Sequence, residues 1–420
     1  MSTPTWRRLQ HLGSRKVTAR AALGACAVLL AAAGGILWAV QGPTPVRTPS
    51  ATSTTTTPST STRSHQSTST TTPSTTSPPS TGAPSTVLPA LGVYVGPGAA
   101  TSATAVNQEL GGKVTYVLDY LSATSWATIT EPTWLAAAWH GTPFRLVIGV
   151  PMLPEATQTG LAQGATGAYD GNFATLAQRL VADGLGDATL MVGWQPADPT
   201  NPWSVTTAAE AAAYVSYWDD IESTMAGVTG AHFTFLWDVG DPGSKPAVSP
   251  TAMYPGDAAV DVVATDAFDT APSTLAATAQ WPHVLDLPDG PAWLASFAAA
   301  HHKPMAIAMW GESPTANGGD GDVAQFVSGL LHWASSAGVQ MTTMWDYGAA
   351  TITGGGFPNA LGAVEKALGP ATTSVASPAR AWDASQTRVG RPARNLVAEA
   401  SRKRAARRGE PTVLRSLGSA

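Results

Sequence analysis

Cysteine is nearly absent from this chain: one residue in 420, Cys26, and none between 88 and 370. No disulfide forms in that stretch, so its stability rests on a packed core. Basic side chains are also scarce there, with 6 Lys+Arg against 25 Asp+Glu, a balance of −19. That charge argues against a nucleic-acid partner, because phosphate recognition needs a basic face. Other signatures are missing as well. There is no Gly-x-Ser-x-Gly elbow with a placed His, and no Cys or paired His at metal-ligand spacing. His301-His302 point about 100° apart on a helix and do not readily share an ion, so they read as a surface helix end. Gly318-Gly319-Asp320-Gly321-Asp322 lacks the alternation and closing Glu of a calcium loop, and reads as a helix entry capped by Asp320 or Asp322. No metal or other cofactor is expected.

What is present divides into stretches of different physics. Residues 1–20 carry Arg7, Arg8, Arg15, Lys16 and Arg20 with no acid, and Ala21 to Val40 carry no charge. A basic flank before about twenty apolar residues reads as a cytoplasmic segment and a transmembrane anchor, with a cleaved signal peptide as the alternative. Leu23-Gly24-Ala25-Cys26 looks like a lipoprotein box, but the apolar run before it is too short. Residues 43–87 are mostly Ser, Thr and Pro, the composition of a disordered spacer. Residues 88–370 hold twelve of the fifteen tryptophans and have the size of one large domain. Residues 371–420 have ten Lys+Arg against three acids. They read as a solvated basic tail, or as one that docks on the acidic domain or on an anionic envelope polymer or lipid.

Within 88–370, strands are expected near Leu91–Val95, Val114–Asp119, Phe144–Pro151, Thr189–Gln195, Phe233–Asp238, Val260–Asp266, Pro304–Met309 and Met341–Asp346. Helical spacing fills intervals such as Asn172–Asp183, Thr206–Met225 and Asp322–Ala337. Eight strands alternating with helices over about 250 residues predict a parallel (β/α)8 barrel. A doubly wound sheet is disfavoured, since no glycine-rich phosphate turn follows the first strand. Such barrels place chemistry at strand C-terminal ends. The residues there include Asp119, Trp194, Gln195, Asp238, Asp266, Asp269, Met309, Glu312 and Asp346, with Trp237, Trp310 and Trp345 interleaved. Indole faces and carboxylates at one mouth suit a sugar, so Trp194, Trp237, Trp310, Trp345 and Asp266 are the candidate ligand contacts. Trp126, Trp134 and Trp139 read as structural.

Several segments, in order, resemble the β-mannanase-like barrels of glycoside hydrolase family 26. They are Leu91-Gly92-Val93-Tyr94-Val95-Gly96, Gly167-Ala168-Tyr169-Asp170-Gly171 with Leu185-Gly186-Asp187, and Tyr254-Pro255-Gly256-Asp257 with Val260-Asp261-Val262-Val263. Lys303-Pro304 and Gly319-Asp320-Gly321-Asp322 follow. In that family the fourth strand ends in a pattern like Arg-x-Gly-Trp-Glu-x-Asn-Gly, whose Glu is the acid/base, and the seventh in Glu-Trp-Gly, whose Glu is the nucleophile. Here the same places read Met191-Val192-Gly193-Trp194-Gln195-Pro196-Ala197-Asp198 and Met309-Trp310-Gly311. The resemblance implies the barrel, but both catalytic positions, Gln195 and Met309, have lost their carboxylate.

A retaining glycosidase needs an acid and a carboxylate about 5–5.5 Å apart. An amide does not transfer a proton near neutral pH, and a thioether forms no stable glycosyl ester. The expectation is therefore a membrane-anchored, extracytoplasmic, catalytically degenerate barrel that binds a polysaccharide. One alternative is an active glycoside hydrolase using relocated acids, with Glu312 first and Asp346 or Asp238 next. Asp198, three residues past Gln195, is a weaker candidate. A second alternative is a protein-binding surface scaffold.

Overall fold

In the computed structural model the described residues are 88–370, apart from 156, 158–159, 243–245 and 316–318. The basic segment 1–20, the Ala21–Val40 span, the linker 43–87 and the tail 371–420 lie outside them. Among the described residues no helix is long and apolar enough to cross a membrane.

Eight short, largely apolar runs form strands that are buried on both faces, as a parallel sheet demands. They are β1 (Ala90–Tyr94), β2 (Val114–Tyr120), β3 (Arg145–Val150), β4 (Thr189–Val192), β5 (Thr234–Asp238), β6 (Val262–Phe268), β7 (Met305–Gly311) and β8 (Met341–Trp345). All neighbouring pairs are parallel, and β1 closes on β8 with Ala90 opposite Met341 and Tyr94 opposite Trp345. The sheet is a closed barrel in sequential order, the predicted architecture.

Helices surround it: α1 (Ala100–Glu109), α2 (Trp126–Thr130), α3 (Thr133–Trp139), α4 (Gly160–Gly164), α5 (Asp170–Ala182), α6 (Ala208–Ala226), α7 (Ala277–Leu285), α8 (Pro291–Ala300), α9 (Ala324–Ser336) and α10 (Pro358–Leu368). Local chemistry starts several of them. Thr207 caps α6 by accepting from the Glu210 peptide while Glu210 reaches back to Thr207, a reciprocal box that satisfies two otherwise orphaned donors. Pro291 and Pro358 open α8 and α10, where the missing N–H costs nothing.

The Gly-Asp-Gly-Asp stretch works differently from its sequence reading. α9 begins at Val323 with no side-chain cap. Asp322 instead accepts from the peptides of Asn359 and Ala360, at 2.9 and 2.8 Å, and so caps α10. Asp320 bonds the amide of Gln280 in α7. The loop before α9 thus fastens two other helices to the barrel. His301 does end α8, where it pairs with Asp257 at 2.8 Å.

Because Asp322 supplies the first-turn acceptors of α10, Asp322→Ala should lower stability by about 1 kcal/mol, the usual cost of a lost cap. Asp322→Asn should cost much less. Thermal melting of the two variants beside the parent checks this, and equal losses would show that charge, not capping, is what Asp322 contributes.

Candidate functional site

The site is built on the sharp exit of β4. The strand stops at Val192, earlier than its sequence pattern predicts, because Gly193 (φ 55°) and Gln195 (φ 49°) are both left-handed. Gly193 is obligatory on two counts: a Cβ there would lie 2.3 Å from the Met152 sulfur, in a conformation L residues rarely adopt. Gln195 is held there at a conformational cost, the kind of backbone strain that clusters at functional sites. Donors around the exit fix it. The Trp218 indole reaches Val192 O, the Tyr214 hydroxyl Gly193 O, and the Trp203 indole Trp194 O. The Asn201 amide donates to the carbonyls of Trp194 and Gln195.

That exit turns the Gln195 side chain inward. Its Nε2 donates to Asp266 Oδ2 at 2.5 Å, and its peptide N–H donates to Asp238. Asp266 on β6 stands in register with Met309 on β7. The Met309 sulfur is 2.7 Å from the Tyr120 hydroxyl, which donates to it. The four residues Gln195, Asp266, Met309 and Tyr120 therefore meet inside the barrel's C-terminal end, with Asp238 beside them. Gln195 and Met309 are both uncharged, and each is already bonded to a neighbour.

The remaining candidate acids divide by surroundings. Asp119 accepts from the Gly98 peptide, the Trp139 indole and the Tyr120 peptide, and so ties the β1 loop to α3. Burial nonetheless pushes its carboxyl up to about 6. Asp346 accepts from the peptides of Ile352 and Thr353 and from the Thr353 hydroxyl, which makes it the staple of the loop after β8. Asp198 folds into a local turn with Thr200. Asp238 is wholly buried, accepts from Gly240, and is pushed up to about 7 by desolvation.

Glu312 does not reach the mouth as a free acid. It is fully buried, accepts from the Val323 peptide, and lies against Asp269. The register of β6 and β7 brings the two together, since Phe268 stands opposite Gly311 and each acid follows directly. Burial first, then the neighbouring carboxylate, drives Glu312 up to about 10, and burial raises Asp269 to about 7. Burial and the repulsion between the two carboxylates oppose ionising both, which favours a proton kept on Glu312 at neutral pH.

The tryptophans are also sorted by the strands. Trp237 and Trp310 are 0% exposed. Strand alternation explains why: their neighbours Asp238 and Met309 point into the barrel, so these indoles point out beneath the helices. Trp237 packs on Tyr254 and Phe297 there. Neither offers a face at the mouth, contrary to their expected role as sugar platforms. Trp345 points inward but lies under Tyr94, ring centroids 4.3 Å apart, and is 2% exposed. Trp194, 8% exposed, packs on Tyr120 and Trp203. Half-buried Tyr120 and Tyr347, which touch Tyr94 from either side, complete an aromatic wall that strand-end inspection for tryptophan missed. Among the described residues no group of three or more His, Cys, Asp and Glu is arranged to hold a metal ion.

Comparison with known structures bears on the fold. The chain is similar to a Cellulomonas fimi endo-β-1,4-mannanase double mutant, at 14% identity and a TM-score of 0.51, over 69% of this chain and 72% of that one. It is also similar to the GH26 domain of a Prevotella bryantii endo-β-mannanase/endo-β-glucanase (13% identity, TM-score 0.46, 67% and 89% covered). A β-mannanase from a symbiotic protist of the termite Reticulitermes speratus, complexed with gluco-manno-oligosaccharide, gives 14%, 0.44, 68% and 88%. No family model and no curated protein matches the sequence. The Cellulomonas likeness bears on the fold alone, an eight-stranded parallel barrel.

The raised carboxyls have a measurable consequence. Native Asp269 and Glu312 keep a proton that the unfolded chain releases above about pH 4.5, so their contribution to stability declines as pH rises toward 7 and beyond. One retained proton corresponds to at most about 1.4 kcal/mol per pH unit. Glu312→Gln keeps a donor toward Asp269 and an acceptor for Val323. It should melt near the parent at pH 6 and lose less stability than the parent between pH 6 and 9. Parallel melting curves across that range are the check, and identical slopes would refute a proton retained by Glu312 in the folded protein.

Proposed function

We propose that this barrel is a catalytically degenerate glycosidase-type domain that binds a polysaccharide at the C-terminal end of its strands, held outside the membrane by the Ala21–Val40 anchor. The observation that carries the reading is the pair Gln195 and Met309. These occupy the acid/base and nucleophile positions of the barrels the sequence resembles, and are bonded to Asp266 and Tyr120. Neither can do the work of the carboxylate it replaces.

Relocated catalysis is less well supported. Glu312 is committed to Asp269, Asp346 to its own loop, and Asp238 is enclosed with two peptide donors. A general acid must reach the leaving oxygen within hydrogen-bond distance, and none of these three is more than 5% exposed. The half-buried rings of Tyr120 and Tyr347, backed by Tyr94, favour binding, since rings at the edge of a polar site take the C–H face of a pyranose.

The test is a polysaccharide panel with the full chain, reading retention and reducing-end release from the same samples. Retention without release is expected. Tyr347→Ala, which removes a half-exposed ring, should weaken retention about three- to tenfold, the equivalent of roughly 1 kcal/mol. Release of reducing ends that disappears in Glu312→Gln or Asp238→Asn would overturn the non-catalytic reading. No retention of any glycan would instead favour a protein-binding scaffold.

A further inference from the structure

A further pair of aromatic rings stands at the mouth end of the barrel, outside the strand ends. Trp126 opens α2 on the loop that leaves β2 after Tyr120, and Tyr169 immediately precedes α5, which runs back toward the start of β4. The loops that carry them are tied together, since the Glu155 peptide donates to Ala123 O at 2.8 Å. Both rings are half-buried, and their centroids lie 4.8 Å apart. Phe173 meets Trp126 edge-on at 5.8 Å, and Tyr217 meets Tyr169 at 6.0 Å. That floor is fixed: Phe173 and Tyr217 are buried, and the Tyr217 hydroxyl donates to Met152 O. A reciprocal box between Ser125 and Thr128 sets the start of α2, and with it the place of Trp126.

The sequence assigns Trp126 to packing, but two features exceed what packing needs. The indoles of Trp139, Trp203 and Trp218 each donate to a protein acceptor, whereas the Trp126 N–H has none among the described residues. Gln163, which is exposed, accepts from the Tyr169 hydroxyl at 3.0 Å, and its Nε2 has no acceptor among the described residues either. An accessible ring pair with N–H donors at its edge is the chemistry that takes a sugar: the C–H face rests on the ring, and the hydroxyls accept from the donors. Rings already held by a packed floor lose little freedom when a ligand arrives.

We infer that Trp126 and Tyr169, with Gln163 at their edge, form a distal subsite for the polysaccharide, so that the bound chain extends from Tyr120 and Tyr347 at the mouth out over the loops after β2 and β3. This rests on the glycan-binding reading above and adds the extent of chain recognised. The two places are continuous, because Tyr120 ends β2 and the loop leads directly to Trp126. Six residues span at most about 22 Å, a distance that one oligosaccharide of several units covers.

Calorimetry of the full chain with disaccharides and hexasaccharides of β-1,4-linked mannose, glucose and xylose decides the matter. The parent should bind the hexasaccharide of its preferred sugar more tightly than the disaccharide. Trp126→Ala should remove most of that gain, about three- to tenfold, and bind the disaccharide like the parent. Tyr347→Ala, by contrast, should weaken both. Gln163→Ala alters an exposed side chain and keeps the test decisive if Trp126→Ala melts low: it should weaken the hexasaccharide alone, about threefold, at an unchanged melting temperature. If both Trp126→Ala and Gln163→Ala bind the hexasaccharide like the parent, the distal subsite fails and binding at the mouth stands. Equal weakening of both oligomers in Trp126→Ala with a lowered melting temperature, and no effect of Gln163→Ala, would make Trp126 a packing residue and overturn the inference. If no oligomer binds, the glycan-binding reading fails together with it.

Discussion

Desolvation of carboxyl groups at one end of a closed barrel is the constraint on which the rest of this structure depends. Parallel strands bring every C-terminal end to the same face, and here that face carries six acids and none of the described Lys and Arg residues. Each acid must then be neutralised by hydrogen bonds or by a proton. Asp119 and Asp346 take the first route, with three donors each from peptides and side chains. Asp269 and Glu312 take the second, and Asp238 is intermediate, with two peptide donors and a carboxyl still raised by burial. The loops over the mouth are arranged around these needs: the β1 loop by Asp119, the loop after β8 by Asp346, and the segment before α9 by Glu312.

The two substituted positions make sense against the same constraint. Gln195 Nε2 approaches Asp266 to 2.5 Å as a donor. A glutamate there would put a second carboxylate in that contact, and one of the two would have to hold a proton or move away. Met309 faces Asp266 across the β6–β7 register, with the Tyr120 hydroxyl against its sulfur. An amide and a thioether therefore remove two charges from an end of the barrel that has no spare cation among the described residues. Crowding of this kind is the means by which active sites tune acids, and it costs stability wherever no partner offsets it.

Most of the architecture was legible in the sequence, because eight apolar runs of strand length, spaced by helical periods, admit few folds. The limits of that legibility are local. β4 was read through to Gln195, but two left-handed residues end it at Val192, and no strand pattern reports φ. Trp237 and Trp310 were read as mouth residues from their place at strand ends. The period-two alternation beside Asp238 and Met309 was the available signal that they face outward. Asp322 was read as the cap of the helix that follows it, whereas its partners are Asn359 and Ala360, 37 and 38 residues on, a pairing made only by tertiary packing. The Asp269–Glu312 pair has the same origin: 43 residues separate the two in sequence, and one strand register joins them.

Among the buried side-chain atoms without a hydrogen-bond partner are two acceptors at the β4 exit, Gln195 Oε1 and Asp238 Oδ2. A buried acceptor without a donor costs roughly 1–3 kcal/mol, and natural interiors keep few of them. Folding alone would remove Gln195 Oε1 and Asp238 Oδ2 cheaply, by a leucine-sized side chain at 195 or an asparagine at 238 turned toward its neighbour. Gln195 instead keeps a strained backbone that holds its amide among the acids. A left-handed backbone and an unpaired side-chain acceptor meet in Gln195, a combination that packing alone does not require. Backbone strain and unsatisfied buried acceptors of this kind cluster at functional sites.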